Sequence, residues 1–79
     1  MTNTPHELAE EFPEKVAAIS ALKQSDAHFS RLADAYHTVN RAVHRAEINV
    51  EPISDQAEAD LRKSRGALKD KIWSILSKA

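Results

Sequence analysis

The chain has 79 residues, which is enough for one small domain. It contains no cysteine, which excludes disulfide bonds and thiolate metal sites, and its formal net charge of −1 gives no overall attraction for nucleic acid or anionic lipid. We see no signal peptide and no apolar run long enough to span a bilayer, so we expect a soluble, cytoplasmic protein without membrane contacts. One glycine, three prolines and abundant helix-forming residues predict a single all-α domain over residues 1–79.

The N-terminal stretch, residues 1–11, is acidic: it contains three glutamates and no lysine or arginine. We expect this stretch to be flexible, although Leu8 and Phe12 could form an apolar turn. Pro13 suits the first turn of a helix, because its missing N–H has no partner to lose there. The sequence therefore predicts a short N-terminal helix over about 13–23.

The strongest pattern in the chain is an apolar stripe with alternating spacings of three and four. Its members are Phe29, Leu32, Tyr36, Val39, Val43, Ala46 and Val50. This is the a/d pattern of a helix that packs along another helix. Asp26 is a candidate N-cap and Pro52 ends the helix by about residue 50, which predicts a second helix over 27–48. No glycine or proline separates it from the first helix, so a turn and a kink both stay open.

A third helix is predicted over 55–78. Either Ser54 or Asp55 is its cap, and Glu58 follows Asp55 by three residues, as in a capping box. The second and third helices each have roughly 23 residues, about 35 Å, and a short loop joins them. Short loops favour antiparallel neighbours, so we predict an antiparallel, coiled-coil-like helical hairpin with a short N-terminal helix.

The apolar stripe of the third helix is interrupted. Between Leu61 and Leu68, the position that should face the partner helix is filled by Ser64 or Arg65. Gly66 also lies in mid-helix, at a cost of about 1 kcal/mol relative to alanine, and could permit close approach of another backbone. This polar gap is where we expect a second copy or a partner to enter.

Two segments are specific enough to suggest a family: residues 22–32 (LKQSDAHFSRL) and 61–72 (LRKSRGALKDKI). Residues 44–47 (HRAE) lie between them. Together they resemble the small bacterial YdcH-like proteins, a domain family of unknown function, over about residues 12–78. The resemblance implies a short coiled-coil hairpin. It implies no activity, because none is established for the family.

Four histidines raise the question of a metal site. His37 and His44 share a helix face, but seven residues separate them by about 10.5 Å along the axis, too far for one ion. Nor does the chain contain a glycine-rich phosphate loop or a nucleophile beside a plausible base. We therefore expect no cofactor, no metal and no enzymatic activity.

A basic helix face offers one candidate interaction surface. Arg62, Arg65 and Lys69 share one face of the third helix, and Arg41 and Arg45 lie one turn apart on the second. Such a stripe can follow the phosphates of a nucleic acid, although a solvated or internally neutralised face is the commoner case. Nucleic-acid association is therefore our alternative hypothesis.

The aromatic residues offer a second candidate. Trp73 lies beside the stripe of the third helix, where it either covers the first helix through Phe12, Val16 or Ile19 or is exposed as an interface anchor. We expect the Tyr36 hydroxyl to reach the edge of the packed helices and bind water. Our main hypothesis is a non-enzymatic module for self-association or for binding an unknown protein partner.

Overall fold

The computed structural model describes residues 6–48 and 53–78, and within them the chain is helical and has no strand. The elements are α1 (Leu8–Glu11), a 3₁₀ turn (Pro13–Lys15), α2 (Val16–Ser25), α3 (Ala27–Glu47) and α4 (Asp55–Leu76). α3 and α4 pack against each other. They are antiparallel, because Arg65 contacts Asn40 while Arg62, one turn earlier, contacts Glu47. The predicted all-α helical hairpin is confirmed.

A single extended residue separates α2 from α3. Asp26 has φ −129° and ψ 105°, and its side chain accepts hydrogen bonds from the backbone N–H groups of His28, at 3.0 Å, and Phe29, at 3.1 Å. These are the unpaired donors of the first helical turn, which an aspartate cap satisfies. The boundary is therefore a capped turn and not a kinked continuous helix.

The start of α4 differs in detail from the predicted capping box. Ser54 is the cap, and its Oγ accepts from the Ala57 N–H at 3.1 Å. Asp55 is already the first helical residue, and the Glu58 carboxylate accepts from Arg62 at 3.0 Å. The helix ends at Leu76, two residues before the predicted end. Val50 and Pro52, on which the predicted end of the second helix depended, lie outside the described residues.

The N-terminal region also differs from its prediction. Residues 8–11, expected to be flexible, form the single turn α1, because Leu8 is buried against the helices behind it and is only 7% exposed. Phe12 ends α1 with φ −130° and ψ 64°, since a residue before proline avoids the α conformation. Pro13–Lys15 form a 3₁₀ turn, so the expected helix over 13–23 runs as α2 from Val16.

The main core lies at the end of the hairpin where α3 begins and α4 ends. Its buried members are Leu8, Ile19, Phe29, Ala33, Tyr36, Ile72 and Leu76. α1 and α2 contribute to this core, so a third layer covers the hairpin there. Val43 and Ala46, nearer the C-terminal end of α3, are buried but lie outside this cluster. The N-terminal elements thus stabilise one end of the hairpin.

The buried face of α3 is wider than the predicted stripe. Phe29, Tyr36 and Val43 are at most 1% exposed, as the stripe requires. Beside them Ala33 and Asn40 are also buried, at 3% and 0% exposure. A helix that packs against neighbours on two sides buries more than two positions in every seven residues. This explains why Ala33 and Asn40 are buried in addition to the stripe.

Candidate functional site

An aromatic pair marks the outer surface at the covered end of the hairpin. The rings of Phe12 and Trp73 stack with their centroids 5.4 Å apart and their planes at 10°. Trp73 is nevertheless 45% exposed. Lys69 Nζ lies 5.7 Å from the centroid of the Phe12 ring, within the range of a cation–π contact. We call Phe12 and Trp73 the aromatic ridge: Trp73 both covers the N-terminal segment and presents a large apolar surface to solvent.

Two shallow clefts flank the aromatic ridge. One, of about 240 Å³, is lined by Phe12, Lys69, Asp70 and Trp73. The other, of about 280 Å³, is lined by the ridge and by residues 11 and 13–15. Both are smaller than the roughly 300–1,000 Å³ of a typical small-molecule pocket, so their size suits an inserted side chain better than a metabolite.

The segment preceding the ridge is attached to the hairpin by polar contacts. We call residues 6–12 the N-terminal clasp. The Tyr36 hydroxyl donates to the backbone carbonyl of His6 at 2.6 Å, and His37 Nδ1 lies 2.9 Å from a Glu7 carboxylate oxygen. Lys69 Nζ donates to Glu11 Oε1 at 2.9 Å. The clasp thus contacts both α3 and α4.

The environment of the clasp changes the acidity of two groups. Burial raises the pKa of the Tyr36 hydroxyl to about 12, and the neighbouring carboxylates of Glu11 and Glu7 act in the same direction. The hydrogen bond from Lys69 lowers the pKa of Glu11. The expected water contact of the Tyr36 hydroxyl is therefore corrected: its partner is the backbone of the clasp.

A third cleft, of about 270 Å³, lies where α1, α2 and α3 meet. Leu8 and Ile19 contribute apolar surface to it, while Lys23, Asp34 and His37 contribute polar groups. Its position beneath the clasp means that its shape depends on where α1 lies.

Most of the predicted basic stripe on α4 is paired within the chain. Arg62 lies 3.0 Å from Glu58 and 3.6 Å from Glu47. Arg65 donates to the side-chain oxygen of Asn40 at 3.0 Å, and Lys69 binds Glu11. These contacts compete with any phosphate for the same donors.

The two arginines of α3 lie together, as their spacing predicts. With Thr38, Arg41 and Arg45 line a polar cleft of about 210 Å³. Arg41 Nη1 is 3.5 Å from His37 Nε2, and Arg45 is half-buried. The five predicted basic residues therefore do not form one continuous open surface: Arg41 and Arg45 share this cleft, while Arg62, Arg65 and Lys69 contact residues of α1, α3 or α4 elsewhere.

Two buried polar groups on α3 were not among the predicted site residues. Asn40 is fully buried, and the side-chain Nε2 of His44, one turn later on α3, is buried without a hydrogen-bond partner. Asn40 follows Tyr36 by four residues and precedes Val43 by three, so its position on the packed face was readable from the helical period. Counting only apolar residues concealed it.

Over residues 6–48 and 53–78 no three His, Asp or Glu side chains are grouped closely enough to hold a metal ion. Over the same residues no helix combines the length and apolar character needed to cross a membrane.

The fold and its surface define a small helical-hairpin protein with an N-terminal helical cover. Residues 29–76 match the family described as "Protein of unknown function (DUF465)", which is more than half of the chain, so the chain belongs to this family. The matched region contains α4 and all of α3 except its first two residues, whereas α1 and α2 precede it. No curated protein and no solved structure matches the chain. The predicted membership of a domain family of unknown function is thereby confirmed.

Proposed function

We propose that this protein is a non-enzymatic interaction module that self-associates through its aromatic ridge. The observation that supports this most directly is the exposure of Trp73, 45%, on a face where it already stacks on Phe12. Tryptophan is enriched among the residues that dominate protein interfaces, because it buries a large area with few rotatable bonds. The resemblance to bacterial YdcH-like proteins and a cytoplasmic location belong to the same proposal.

The charges around the ridge favour a second copy of the chain as the partner. Lys69 of one flanking cleft and Glu11 of the other pair with each other within the chain. Besides this pair, the first cleft carries Asp70 and the second carries Glu14 and Lys15. In a two-fold dimer the same surface patch of both copies forms the interface. A two-fold axis parallel to the ridge places one flanking cleft of each copy opposite the other flanking cleft of its partner. Lys15 of one copy would then face Asp70 of the other, which gives a self-complementary rim.

Sedimentation of the intact chain tests this proposal. We expect the average mass to rise with concentration toward that of a dimer, and the emission of Trp73, the only tryptophan, to shift to the blue as it leaves water. Trp73→Ala should remain a monomer. Ile53→Ala is the matched control, since Ile53 is also exposed, at 41%, but precedes α4 at its other end. If the wild type stays a monomer up to about 1 mM, self-association is ruled out. The free energy of dimerisation would then be weaker than roughly 4 kcal/mol.

A charge exchange tests the arrangement within the dimer. Lys15→Glu should weaken association, because it places two acidic groups opposite each other. Adding Asp70→Lys to the same chain should restore it. If the double variant associates no better than Lys15→Glu alone, these two residues do not face each other.

The alternative function is association with nucleic acid through the cleft of Arg41 and Arg45. That cleft is polar and carries two guanidinium groups, which suit a phosphate. The pairing of Arg62, Arg65 and Lys69 within the chain makes this the weaker proposal. Binding to a generic DNA duplex at low salt that weakens on Arg41→Ala would support it, and no binding at low salt would exclude it.

A further inference from the structure

The N-terminal clasp lies on α3 and α4 in the manner of a bound peptide. We propose that it is an intramolecular ligand, and that its site can instead bind an acidic segment of a protein partner with the pattern Glu-Leu-x-x-Glu-Phe. This inference goes beyond self-association, because it assigns a second binding site and the chemistry that it recognises. The contacts of residues 6–12, whose sequence is HELAEEF, support it.

Two side chains of the hairpin, one histidine and one lysine, contact the carboxylates of the clasp. His37, on α3, lies 2.9 Å from Glu7, and Lys69, on α4, lies 2.9 Å from Glu11. Glu7 and Glu11 are four residues apart, so one helical turn brings both carboxylates to the same side. The site thus selects two acidic groups at this spacing.

An apolar position and an aromatic position complete the recognition. Leu8 is buried in the core cluster that also contains Ile19, Ala33 and Tyr36. Phe12 stacks on Trp73. A leucine next to the first carboxylate and an aromatic residue next to the second are therefore required, and the Tyr36 hydroxyl adds a contact to a backbone carbonyl that any sequence provides.

The recognising side chains and their occupant belong to different parts of the chain. Tyr36, His37, Lys69 and Trp73 all lie within the family match over residues 29–76, whereas the clasp precedes it. The hairpin thus supplies the polar and aromatic recognition groups, and Ile19 of α2 adds apolar surface in the cluster around Leu8. A segment outside the family region fills this site.

The clasp has features of a ligand that can be released. α1 has four residues, far fewer than the roughly 12–15 that a helix needs to be stable alone. The side chains of His37 and Lys69 are 48% and 39% exposed, so water competes for the hydrogen bond of His37 and screens the ion pair of Lys69. His6, at the start of the clasp, has φ 63°, a left-handed conformation that is unfavourable for a residue with a side chain and that release would relieve.

The covalent tether sets the conditions under which a partner can bind. A tethered ligand competes at a high effective concentration, so the wild-type chain should bind a free peptide weakly. A chain whose clasp has lost its anchor should bind the same peptide more tightly. Leu8→Ser in the full chain creates this condition, because it removes the apolar anchor and leaves Tyr36, His37, Lys69 and Trp73 unchanged.

The test uses a fluorescently labelled peptide, HELAEEFP, and measures its anisotropy as protein is added. We expect Leu8→Ser to bind it at least tenfold more tightly than the wild type, with affinity decreasing as salt rises. The peptide has no tryptophan, so a change in Trp73 emission reports occupancy independently. A peptide with serine in place of leucine is the ligand control, and Lys69→Gln in the Leu8→Ser chain should reduce binding.

A second variant is needed in case Leu8→Ser does not fold. If circular dichroism shows that Leu8→Ser is unfolded, the double variant Glu7→Gln/Glu11→Gln replaces it, since this variant keeps Leu8 and loses both carboxylate contacts. The inference is overturned if a folded variant with a weakened clasp does not bind the peptide at concentrations up to about 1 mM. A dissociation constant of about 1 mM corresponds to a binding free energy of roughly 4 kcal/mol. Peptide binding by a monomeric chain would reject only self-association, whereas dimerisation without peptide binding would reject only this inference.

Discussion

Arg65 of α4 donates a hydrogen bond from Nη1 to the side-chain oxygen of Asn40 in α3, at 3.0 Å. Asn40 is fully buried and Arg65 is half-buried. The polar gap in the stripe of α4 is thus matched by a polar residue in the facing helix. Entry of a partner at this gap stays a prediction. A sliding of the two helices would separate these groups, so the pair favours one register of the hairpin.

Removal of one member of this pair should cost more than removal of both. We expect Asn40→Leu to lower the free energy of unfolding by about 1–3 kcal/mol, because it leaves the Arg65 head group without its buried acceptor. The double variant Asn40→Leu/Arg65→Leu should recover much of that loss, since neither group is then left unpaired. Urea denaturation of the four chains of this cycle measures the coupling. Strictly additive losses would show that the hydrogen bond does not couple the two positions.

The two long helices were predictable because their signals are local. The stripe of three- and four-residue spacings and the cap at Asp26 lie within one continuous segment. α1 was not predictable, because four residues form a helix here only through the burial of Leu8 against distant elements. The same limit applies to the site. For Trp73 the sequence left a covered and an exposed position open, and its side chain combines the two by stacking on Phe12 while 45% exposed. The contact between Glu11 and Lys69 joins residues 58 positions apart, and no local pattern indicates it.

Tyr36 should titrate well above the ordinary range of a tyrosine. It is the only tyrosine of the chain, so absorbance at 295 nm as a function of pH reports its ionisation directly. Because burial raises its pKa from 10.0 to about 12, we expect a midpoint near 12 in the folded protein and near 10 in urea. A midpoint near 10 without urea would mean that the clasp does not cover the hydroxyl.

The same shift determines how stability changes at alkaline pH. Below about pH 10 the hydroxyl is neutral in both states, so its contribution is fully present there. As the pH rises toward about 12 only the unfolded chain ionises, and the free energy of unfolding should fall by roughly 3 kcal/mol, from two pKa units of 1.36 kcal/mol each. Tyr36→Phe should lack this decrease. Urea denaturation of both chains at pH 8 and pH 11 measures the first half of this decrease, about 1.4 kcal/mol, because pH 11 lies one unit above the pKa of the unfolded chain.

Gly66 should be a site of easy stabilisation. A Cβ at this position would meet no atom within 4 Å, and the residue is exposed in the middle of α4, so no backbone approaches it closely, contrary to the sequence expectation. We expect Gly66→Ala to raise the free energy of unfolding by about 1 kcal/mol, the difference in helix propensity. Ala67→Gly, at the next exposed position, is the reverse control and should lower it by a similar amount. Equal stabilities would mean that α4 is not a continuous helix at this point.

The contact between Glu11 and Lys69 should make the attachment of the clasp sensitive to acid. The hydrogen bond from Lys69 lowers the pKa of Glu11 below its usual 4.5, so the folded state favours the ionised carboxylate. This contribution is present above about pH 4.5, where the unfolded chain is also ionised, and is lost as the pH falls through the lowered pKa. Lys69→Gln should therefore destabilise the protein at pH 7, by about 1 kcal/mol or less because the pair is partly exposed, and by progressively less as the pH falls below 4.5. Lys63→Gln, an exposed lysine on the same helix, is the matched control, and an equal effect of both substitutions at every pH would show that the pair with Glu11 does not form in solution.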